Sequence, residues 1–213
     1  MGTPVKTRRY ESPVRAEQAA RTRTAVLRAA RSLFTTRGYG ATSVADIARR
    51  ARVSVDTVYA SVGRKPDLLL AVHDMILGAS DEPLPAEERD YVRAVRAAPT
   101  AEAKIRTYAD ALGEVLPRTV PLVLALREAG RTDSRCRTVA DDLDTRRAAN
   151  MRRFAGELRA TGRLRDDLTD EDVADLVWSM NDAAYFELMR ARGRTPQEFA
   201  DVLADVWTRT LLA

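Results

Sequence analysis

The sequence predicts an all-α protein built of two helical units. Its 213 residues are rich in Ala, Leu, Arg and Glu, and only 6% of them are aromatic. Straight-chain residues lose little rotamer freedom in a helix, so this composition favours helices over strands. No stretch alternates apolar and polar residues for long enough to predict a strand. The length is sufficient for two modest hydrophobic cores.

The first helix is predicted to follow an N-terminal arm. Residues 1–16 mix Pro, Thr and Arg without periodicity, which predicts a mobile basic arm. From about Glu17 to Arg37, apolar residues recur at helical spacing, and Gly38 then supplies a stop. This segment is the longest predicted helix of the first unit.

Two short helices are predicted next. Ser43 begins a capping box, which predicts a helix that ends near Ala51. A turn at Arg52 leads to Ser54, which is expected to cap another helix ending near Val62. Two helices of about two turns each, joined by a short turn, form a helix-turn-helix.

A fourth helix completes the first unit, predicted at residues 17–77. It begins at Lys65-Pro66. Proline is tolerated there because a backbone amide in the first turn of a helix has no intrahelical acceptor. An acidic, Pro-containing loop separates it from a second unit, residues 86–213. Gly, Pro and capping-box positions divide that unit into predicted helices. These span about residues 87–98, 100–115, 118–130, 135–161, 169–192 and 196 to the C-terminus.

Charge is distributed unevenly along the chain. Residues 1–65 hold fourteen Lys and Arg against four Asp and Glu, a net charge of +10, whereas the rest of the chain has a net charge of −6. Such asymmetry indicates that the N-terminal part meets a polyanion, because phosphate neutralisation supplies most non-specific nucleic-acid affinity. A solvated Arg-rich surface without a nucleic-acid partner is the alternative, and charge alone does not separate the two.

Several function classes lack support in the sequence. A single cysteine, Cys136, excludes an internal disulfide, and one histidine, His73, excludes a Cys/His metal cluster, so neither a metal nor a cofactor is expected. Without a Gly-rich phosphate loop or a nucleophile motif, an enzyme is not favoured. No apolar run has the length of a signal peptide or a membrane span, which predicts a cytoplasmic protein with no membrane partner.

Residues 38–69 carry an ordered series of short motifs at fixed spacing. The series consists of Gly38-Tyr39, Thr42-Ser43, Ile47-Ala48, Ala51-Arg52-Val53-Ser54, Thr57-Val58-Tyr59 and Lys65 with Leu68-Leu69. It resembles the DNA-binding signature of the TetR/AcrR family of transcriptional regulators. The resemblance covers about residues 17–77. It implies an N-terminal three-helix helix-turn-helix domain that binds DNA and a C-terminal helical domain for effector binding and dimerisation.

The sequence departs from the family signature at three places. Arg52 stands where the family usually has Gly, Ser61-Val62 stands where it has His-Phe, and Pro66 follows the Lys in place of an acidic residue. A non-Gly residue in a left-handed turn costs on the order of 1 kcal/mol. Either the turn is therefore different here, or a contact between Arg52 and phosphate offsets that cost.

The expected DNA contacts lie on the helix-turn-helix. At the start of the third helix, Val55 is suited to meet a thymine methyl and Asp56 a cytosine amino group in the major groove. The resemblance implies phosphate contacts for Tyr59 and Lys65. The predicted DNA-binding set is Thr42, Ser43, Arg52, Ser54, Val55, Asp56, Thr57, Tyr59 and Lys65. Burial in the core is the alternative for Tyr59 and Val55, and a solvated charge is the alternative for Lys65.

The last two predicted helices carry apolar residues around more than half of their circumference. One stripe would satisfy the core of a monomer, so the excess predicts a second buried face, which the resemblance implies is a homodimer interface. The predicted interface residues are Val173, Val177, Met180, Leu188, Val202, Val206 and Trp207. Burial inside one chain is the alternative. A two-fold homodimer would bind a palindromic operator.

The resemblance also implies an effector pocket among the middle helices. The aromatic and polar candidates for it are Tyr108, Arg127, Phe154, Trp178, Asn181 and Tyr185. Ordinary core roles are the alternative for most of them. The expected function is thus a repressor that an unknown small molecule releases from DNA; a DNA-binding regulator controlled by a protein partner is the alternative.

Overall fold

The computed structural model describes residues 13–213, and the described part is helical except for its connections. Its α-helices are α1 (Pro13–Arg37), α2 (Val44–Ala51), α3 (Val55–Ser61), α4 (Lys65–Leu77), α5 (Asp90–Ala97), α6 (Ala101–Ala129), α7 (Ser134–Arg159), α8 (Asp170–Met180), α9 (Ala183–Ala191) and α10 (Pro196–Leu211). A 3-10 turn spans Ala86–Glu88. Within the described range the only strand-like pairing is an isolated bridge between Leu164 and Leu212. The predicted all-α class is confirmed.

The first helix begins earlier than the sequence predicts. α1 starts at Pro13, so residues 13–16, predicted to belong to the mobile arm, are helical. Proline is compatible with the first turn of a helix because the amide it lacks has no intrahelical acceptor there. Residues 1–12 of the predicted arm lie outside the described residues.

Both helices of the predicted helix-turn-helix form between the expected residues. The Ser43 hydroxyl accepts a hydrogen bond from the Asp46 amide at 3.1 Å, and the Asp46 carboxylate accepts one from the Ser43 amide at 3.0 Å. The Ser54 hydroxyl likewise accepts from the amide of Thr57, at 3.1 Å. Each bond satisfies an amide that the first turn of a helix leaves without a partner, so these caps set where α2 and α3 begin.

The predicted break near residues 115–118 is wrong, because α6 runs unbroken through it. Pro117 and Pro121 both lie inside α6, with exposed side chains. A proline removes one helical hydrogen bond and crowds the preceding turn. Here the neighbouring residues Leu116, Val120 and Leu122 are buried, and their burial stabilises the continuous helix.

The predicted single helix from 169 to 192 is also wrong. It is divided into α8 and α9 by Asn181 and Asp182. The Asp182 carboxylate accepts a hydrogen bond from the Ala184 amide at 2.8 Å and so starts α9. The Arg127 guanidinium donates to the same carboxylate at 2.7 Å. Burial alone would raise the pKa of Asp182, but the bonds from Arg127 and Ala184 lower it to about 2.

The helices pack around two hydrophobic cores. We call α1–α4 the head and α5–α10 the body. The head core is closed by residues of the body, among them Leu122 and Leu126 from α6 and Val139 from α7. In the body core, the buried Trp207 of α10 stacks on Tyr108 of α6, with ring centroids 5.9 Å apart. From Pro13 to the C-terminus, the chain has no helix with both the length and the apolar character of a membrane span.

Candidate nucleic-acid interface and effector cavity

The helix-turn-helix is held by one buried face of each of its helices. Ile47 of α2 and Val58 of α3 are fully buried, and they belong to the same core cluster as Phe34 of α1. This packing leaves the opposite faces of α2 and α3 at the surface. The N-terminal end of α3 is therefore presented outward on a rigid support, which is the arrangement needed for entry into a major groove.

Most of the predicted DNA-binding residues lie on this outward surface. The exposed members are Ser43, Arg52, Ser54, Asp56 and Tyr59, and the partly exposed members are Val55, Thr57 and Lys65. Tyr59 is 46% exposed, which contradicts its alternative role as a core residue. Val55 packs against the head core while keeping part of its surface accessible, so its predicted contact with a base stays a prediction.

Thr42 does not fit its predicted role. Its side chain is only 1% exposed, and its hydroxyl donates to the carbonyl of Gly38 at 2.8 Å. Its amide donates to the carbonyl of Tyr39 at 3.3 Å. Because both donors are used inside the turn, Thr42 holds the approach to α2 and has no donor left for phosphate.

Ser43 is exposed but already engaged by Asp46. Its hydroxyl donates to the Asp46 carboxylate at 2.6 Å, in addition to the capping bonds of α2. The hydrogen bonds from the hydroxyl and amide of Ser43 and from Arg49 lower the pKa of Asp46 to about 2. A carboxylate that stays ionised at this helix end competes with a phosphate for the same donors.

Lys65 is not a freely solvated charge. Its ammonium lies 4.1 Å from the centroid of the Tyr39 ring, a cation–π contact, and burial lowers its pKa. The Tyr39 hydroxyl in turn lies 3.5 Å from the sulfur of Cys136 in α7. Lys65 is thus positioned by a side chain that also joins the head to the body.

Several arginines of α1 contact other parts of the chain. Arg23 donates to the carbonyl of Ser61 at 2.6 Å, and Arg28 pairs with Asp81 at 2.7 Å. These two guanidinium groups are therefore bonded to the end of α3 and to the loop after α4. Two exposed arginines beside the helix-turn-helix, Arg50 and Arg64, were not among the predicted contacts.

A cavity of about 130 Å³ lies between α4, α5, α6 and α7. Its wall is largely apolar, and most of its residues come from α6 and α7. The α6 residues in the wall include Tyr108, Leu112, Val115, Leu116, Val120 and Val123. A concave, mainly apolar space with a few convergent polar groups is the usual form of a small-molecule site.

Of the six predicted effector residues, Tyr108, Phe154 and Asn181 line this cavity. The Asn181 amide donates to the Tyr108 hydroxyl at 2.9 Å, so the polar groups in this part of the wall are joined. The other three predicted residues are placed elsewhere, each for a packing or ionic reason. Arg127 pairs with Asp144 and Asp182, Trp178 lies under the Arg147 guanidinium, and Tyr185 packs on Phe199.

A buried ionic cluster forms the part of the cavity wall nearest the head. The Asp74 carboxylate of α4 accepts from Arg146 of α7 at 2.8 Å and from Arg89 at 3.1 Å. Burial alone would raise the pKa of Asp74, but hydrogen bonds from His73 and Arg146 outweigh it, and the pKa is lowered. Burial lowers the pKa of His73, so this ring is uncharged at neutral pH. The sequence signal for the cluster was an aspartate on the apolar face of α4.

The comparisons with known proteins agree with this geometry. Residues 26–72 match the family model described as bacterial regulatory proteins, tetR family. The head is thus similar to the N-terminal region of the tetR family. That match covers α2 and α3 whole, together with much of α1 and α4, which are the helices that form the head.

Solved structures share the fold of the head and the body together. A protein described as a TetR-family regulator from Rhodococcus sp. is 17% identical, with a TM-score of 0.66, over 91% of this chain and 100% of that one. A transcriptional regulator from Saccharomonospora viridis, in complex with choline, has the same identity and TM-score over 93% and 99%. FadR from Bacillus subtilis, in complex with stearoyl-CoA, is 16% identical, with a TM-score of 0.64, over 86% and 96%. No curated protein matches by sequence.

The predicted dimer residues divide into two groups. Val173, Val177 and Trp207 are fully buried in the body core, so their prediction as interface residues is wrong. Their apolar stripe is used inside one chain, by packing of α8 on α7 and of α10 on α6. The remaining members are accessible: Leu188 is 66% exposed, and Met180, Val202 and Val206 are partly exposed.

Proposed function

We propose that this chain is a TetR-family transcriptional repressor that binds a palindromic operator as a homodimer and is released by a small molecule. The observation that carries the proposal is the exposed N-terminal end of α3. There, the hydroxyls of Ser54 and Thr57 are joined at 2.8 Å, and Asp56 lies between them on the surface. Short polar side chains held in place by a cap approach base edges with little loss of conformational freedom.

Phosphate contacts would come from the positive residues around α3. Arg50, Arg52 and Arg64 are exposed, and Lys65 is held against the Tyr39 ring. Phosphate contacts fix the position of a protein on the duplex, whereas base contacts give it specificity. The net charge of +10 over residues 1–65 supports this division of roles.

Dimerisation through α9 and α10 is supported by what remains exposed there. Leu188 of α9 is a large apolar residue at the surface, and Val202 and Val206 share one face of α10. A two-fold interface places the same patch against itself, so one accessible apolar face per chain is sufficient. Two heads related in this way would bind half-sites about one helical turn apart or somewhat more.

The cavity supports control by a small molecule rather than by a protein partner. It is lined by body helices and by His73 and Asp74 of α4, a helix of the head. The choline complex and the stearoyl-CoA complex belong to proteins of the same fold. A ligand that prefers one arrangement of α4 shifts the population of DNA-competent dimers by its differential affinity.

Selection of bound sequences from random DNA with the purified protein tests the proposal. We expect enrichment of a palindrome with two half-sites. Failure to enrich a palindrome at both low and moderate salt would contradict it. If a palindrome is enriched but chemically varied small molecules never weaken binding, control by a protein partner becomes the better proposal.

Operator affinity of the Tyr59→Phe variant tests the orientation of α3. Removal of one phenol that donates to phosphate should weaken binding by about three- to tenfold. Tyr185→Phe, the same chemical change on α9, is the matched control and should leave affinity unchanged. Equal affinities of the two variants, measured by fluorescence anisotropy, would exclude the Tyr59 contact.

A further inference from the structure

At the mouth of the cavity, charges are balanced one to one. Arg153 pairs with Glu87 at 2.5 Å, and Arg96 pairs with Glu157 at 3.0 Å. Each pair joins α7 to the segment that contains the 3-10 turn and α5. These four residues line the cavity, but they add no net charge to it.

The charge of Arg147, another lining residue, is balanced by two aspartates that do not line the cavity. It pairs with Asp144 at 3.0 Å and with Asp182 at 3.2 Å, and Arg127 pairs with the same two carboxylates. Two arginines therefore face two aspartates. Like the pairs at the mouth, this group leaves no charge for a ligand.

The cluster around Asp74 is different, because one carboxylate faces two guanidiniums. Arg89 is 3% exposed and is held by the carbonyl of Leu84 as well as by Asp74. Arg146 has a side chain that is 43% exposed, and its guanidinium donates hydrogen bonds to Asp74. His73 is uncharged, as its lowered pKa requires. Among the lining residues, this cluster alone carries an excess of one positive charge.

We propose that the cavity takes an amphipathic organic anion, with an apolar body and a single carboxylate or similar group, and that Arg146 exchanges Asp74 for that group. This inference rests on the proposed function, in which the cavity holds the effector. The apolar body lies along Leu112, Val115 and Val120 of α6, and the anionic group neutralises the one uncompensated charge. Ion pairs of arginine with a carboxylate are strong when two hydrogen bonds form in parallel.

The exchange leaves Asp74 with a partner. When Arg146 turns to the ligand, Arg89 remains bonded to Asp74 because Leu84 holds it in place. An uncompensated buried carboxylate, which would be strongly destabilising, is thus avoided. Asp74 lies on α4 and Arg146 on α7, so the exchange removes an ionic link between the head and the body.

Three eight-carbon probes of different charge test the proposal: octanoate, 1-octanol and octylamine. Isothermal titration calorimetry with the full-length protein should give an affinity for octanoate about tenfold or more above that for the other two. Equal affinities, preference for the amine, or no binding of any probe would each overturn the proposal. DNA binding is measured with the same preparation. If DNA is bound but octanoate is not preferred, only this inference fails; if no DNA is bound, the proposed function fails.

Substitution of Arg146 identifies the residue that carries the preference. Arg146→Gln should reduce octanoate affinity about tenfold and leave 1-octanol affinity unchanged, while Arg146→Lys should restore part of the affinity. Arg152→Gln, an exposed arginine of the same helix that pairs with Glu171 outside the cavity, is the matched control. Retention of the full octanoate preference in Arg146→Gln, with operator binding intact, would overturn the role of Arg146.

Discussion

Arg52 adopts the backbone conformation that its position in the turn demands, although its side chain does not favour it. Its φ of 58° and ψ of 42° lie in the left-handed region, and the Val53 amide donates to the Ala48 carbonyl across the end of α2. The turn is therefore the one expected for a glycine, and the departure from the family signature does not change the backbone. The strain, on the order of 1 kcal/mol, is stored in Arg52 itself.

Arg52→Gly is expected to raise the free energy of unfolding by about 0.5–1 kcal/mol, because the relief of left-handed strain exceeds the added backbone entropy of glycine. Urea denaturation measures this change. Arg50→Gly, an exposed position inside α2, is the control and should lower the free energy of unfolding by about 1 kcal/mol. A decrease in the stability of Arg52→Gly would show that the arginine side chain makes interactions that exceed the strain.

The same variant tests a contact between Arg52 and phosphate. If the guanidinium neutralises one phosphate in each half-site, Arg52→Gly lowers the slope of log affinity against log salt by about one for each phosphate that is no longer neutralised. Anisotropy titrations of the operator at several salt concentrations give this slope. An unchanged slope would rule out the contact between Arg52 and phosphate, whatever the effect of the substitution on stability.

At the scale of elements, Gly113 has a packing role that its sequence context did not reveal. From the sequence it is expected near a break between helices, yet it lies within α6. A Cβ at this position would lie 2.9 Å from the Pro196 carbonyl oxygen and 3.2 Å from Ala200 Cβ. The glycine therefore allows α10 to approach α6 closely.

Gly113→Ala should lower the free energy of unfolding by about 1–3 kcal/mol, since the backbone of α10 must move to accept the methyl group. Gly156→Ala is the matched control. Gly156 also lies inside a helix, but a Cβ there would have open space around it, so the substitution should stabilise by about 1 kcal/mol through helix propensity. If both variants are stabilised in chemical denaturation, the close approach at Gly113 does not constrain the packing.

At the scale of the whole molecule, the head and the body share contacts that make them mechanically continuous. Leu126 of α6 is fully buried within the head core, and Arg135 of α7 pairs with Asp67 of α4 at 2.6 Å. The Tyr39–Cys136 contact adds a third connection. Asp74, in the cavity wall, thus lies on a helix that also packs in the head core with α3.

If the proposed homodimer forms through α9 and α10, Leu188→Glu is expected to weaken dimerisation about tenfold or more, because burial of an unpaired carboxylate in an interface is unfavourable. Analytical ultracentrifugation measures the equilibrium. Val14→Glu is the control, since Val14 is also exposed but lies at the start of α1. If both variants change the monomer–dimer equilibrium equally, the interface does not involve Leu188 of α9.

Sequence patterns determined those features whose causes are local. The caps at Ser43 and Ser54 set the starts of α2 and α3, because each involves a side chain and amides only a few residues apart. The helical class and the outward position of Asp56 and Tyr59 follow from the same short-range periodicity.

Features that depend on residues distant in the chain were decided only by the tertiary structure. Val173 belongs to the core of the body because helices far apart in sequence pack on it. Pro117 remains helical since burial of its neighbours outweighs its local preference. The excess charge near Asp74 exists only because Arg89 and Arg146, from separate segments, converge on one carboxylate. Periodicity shows which face of a helix is apolar, but which partner covers that face depends on how the whole chain packs.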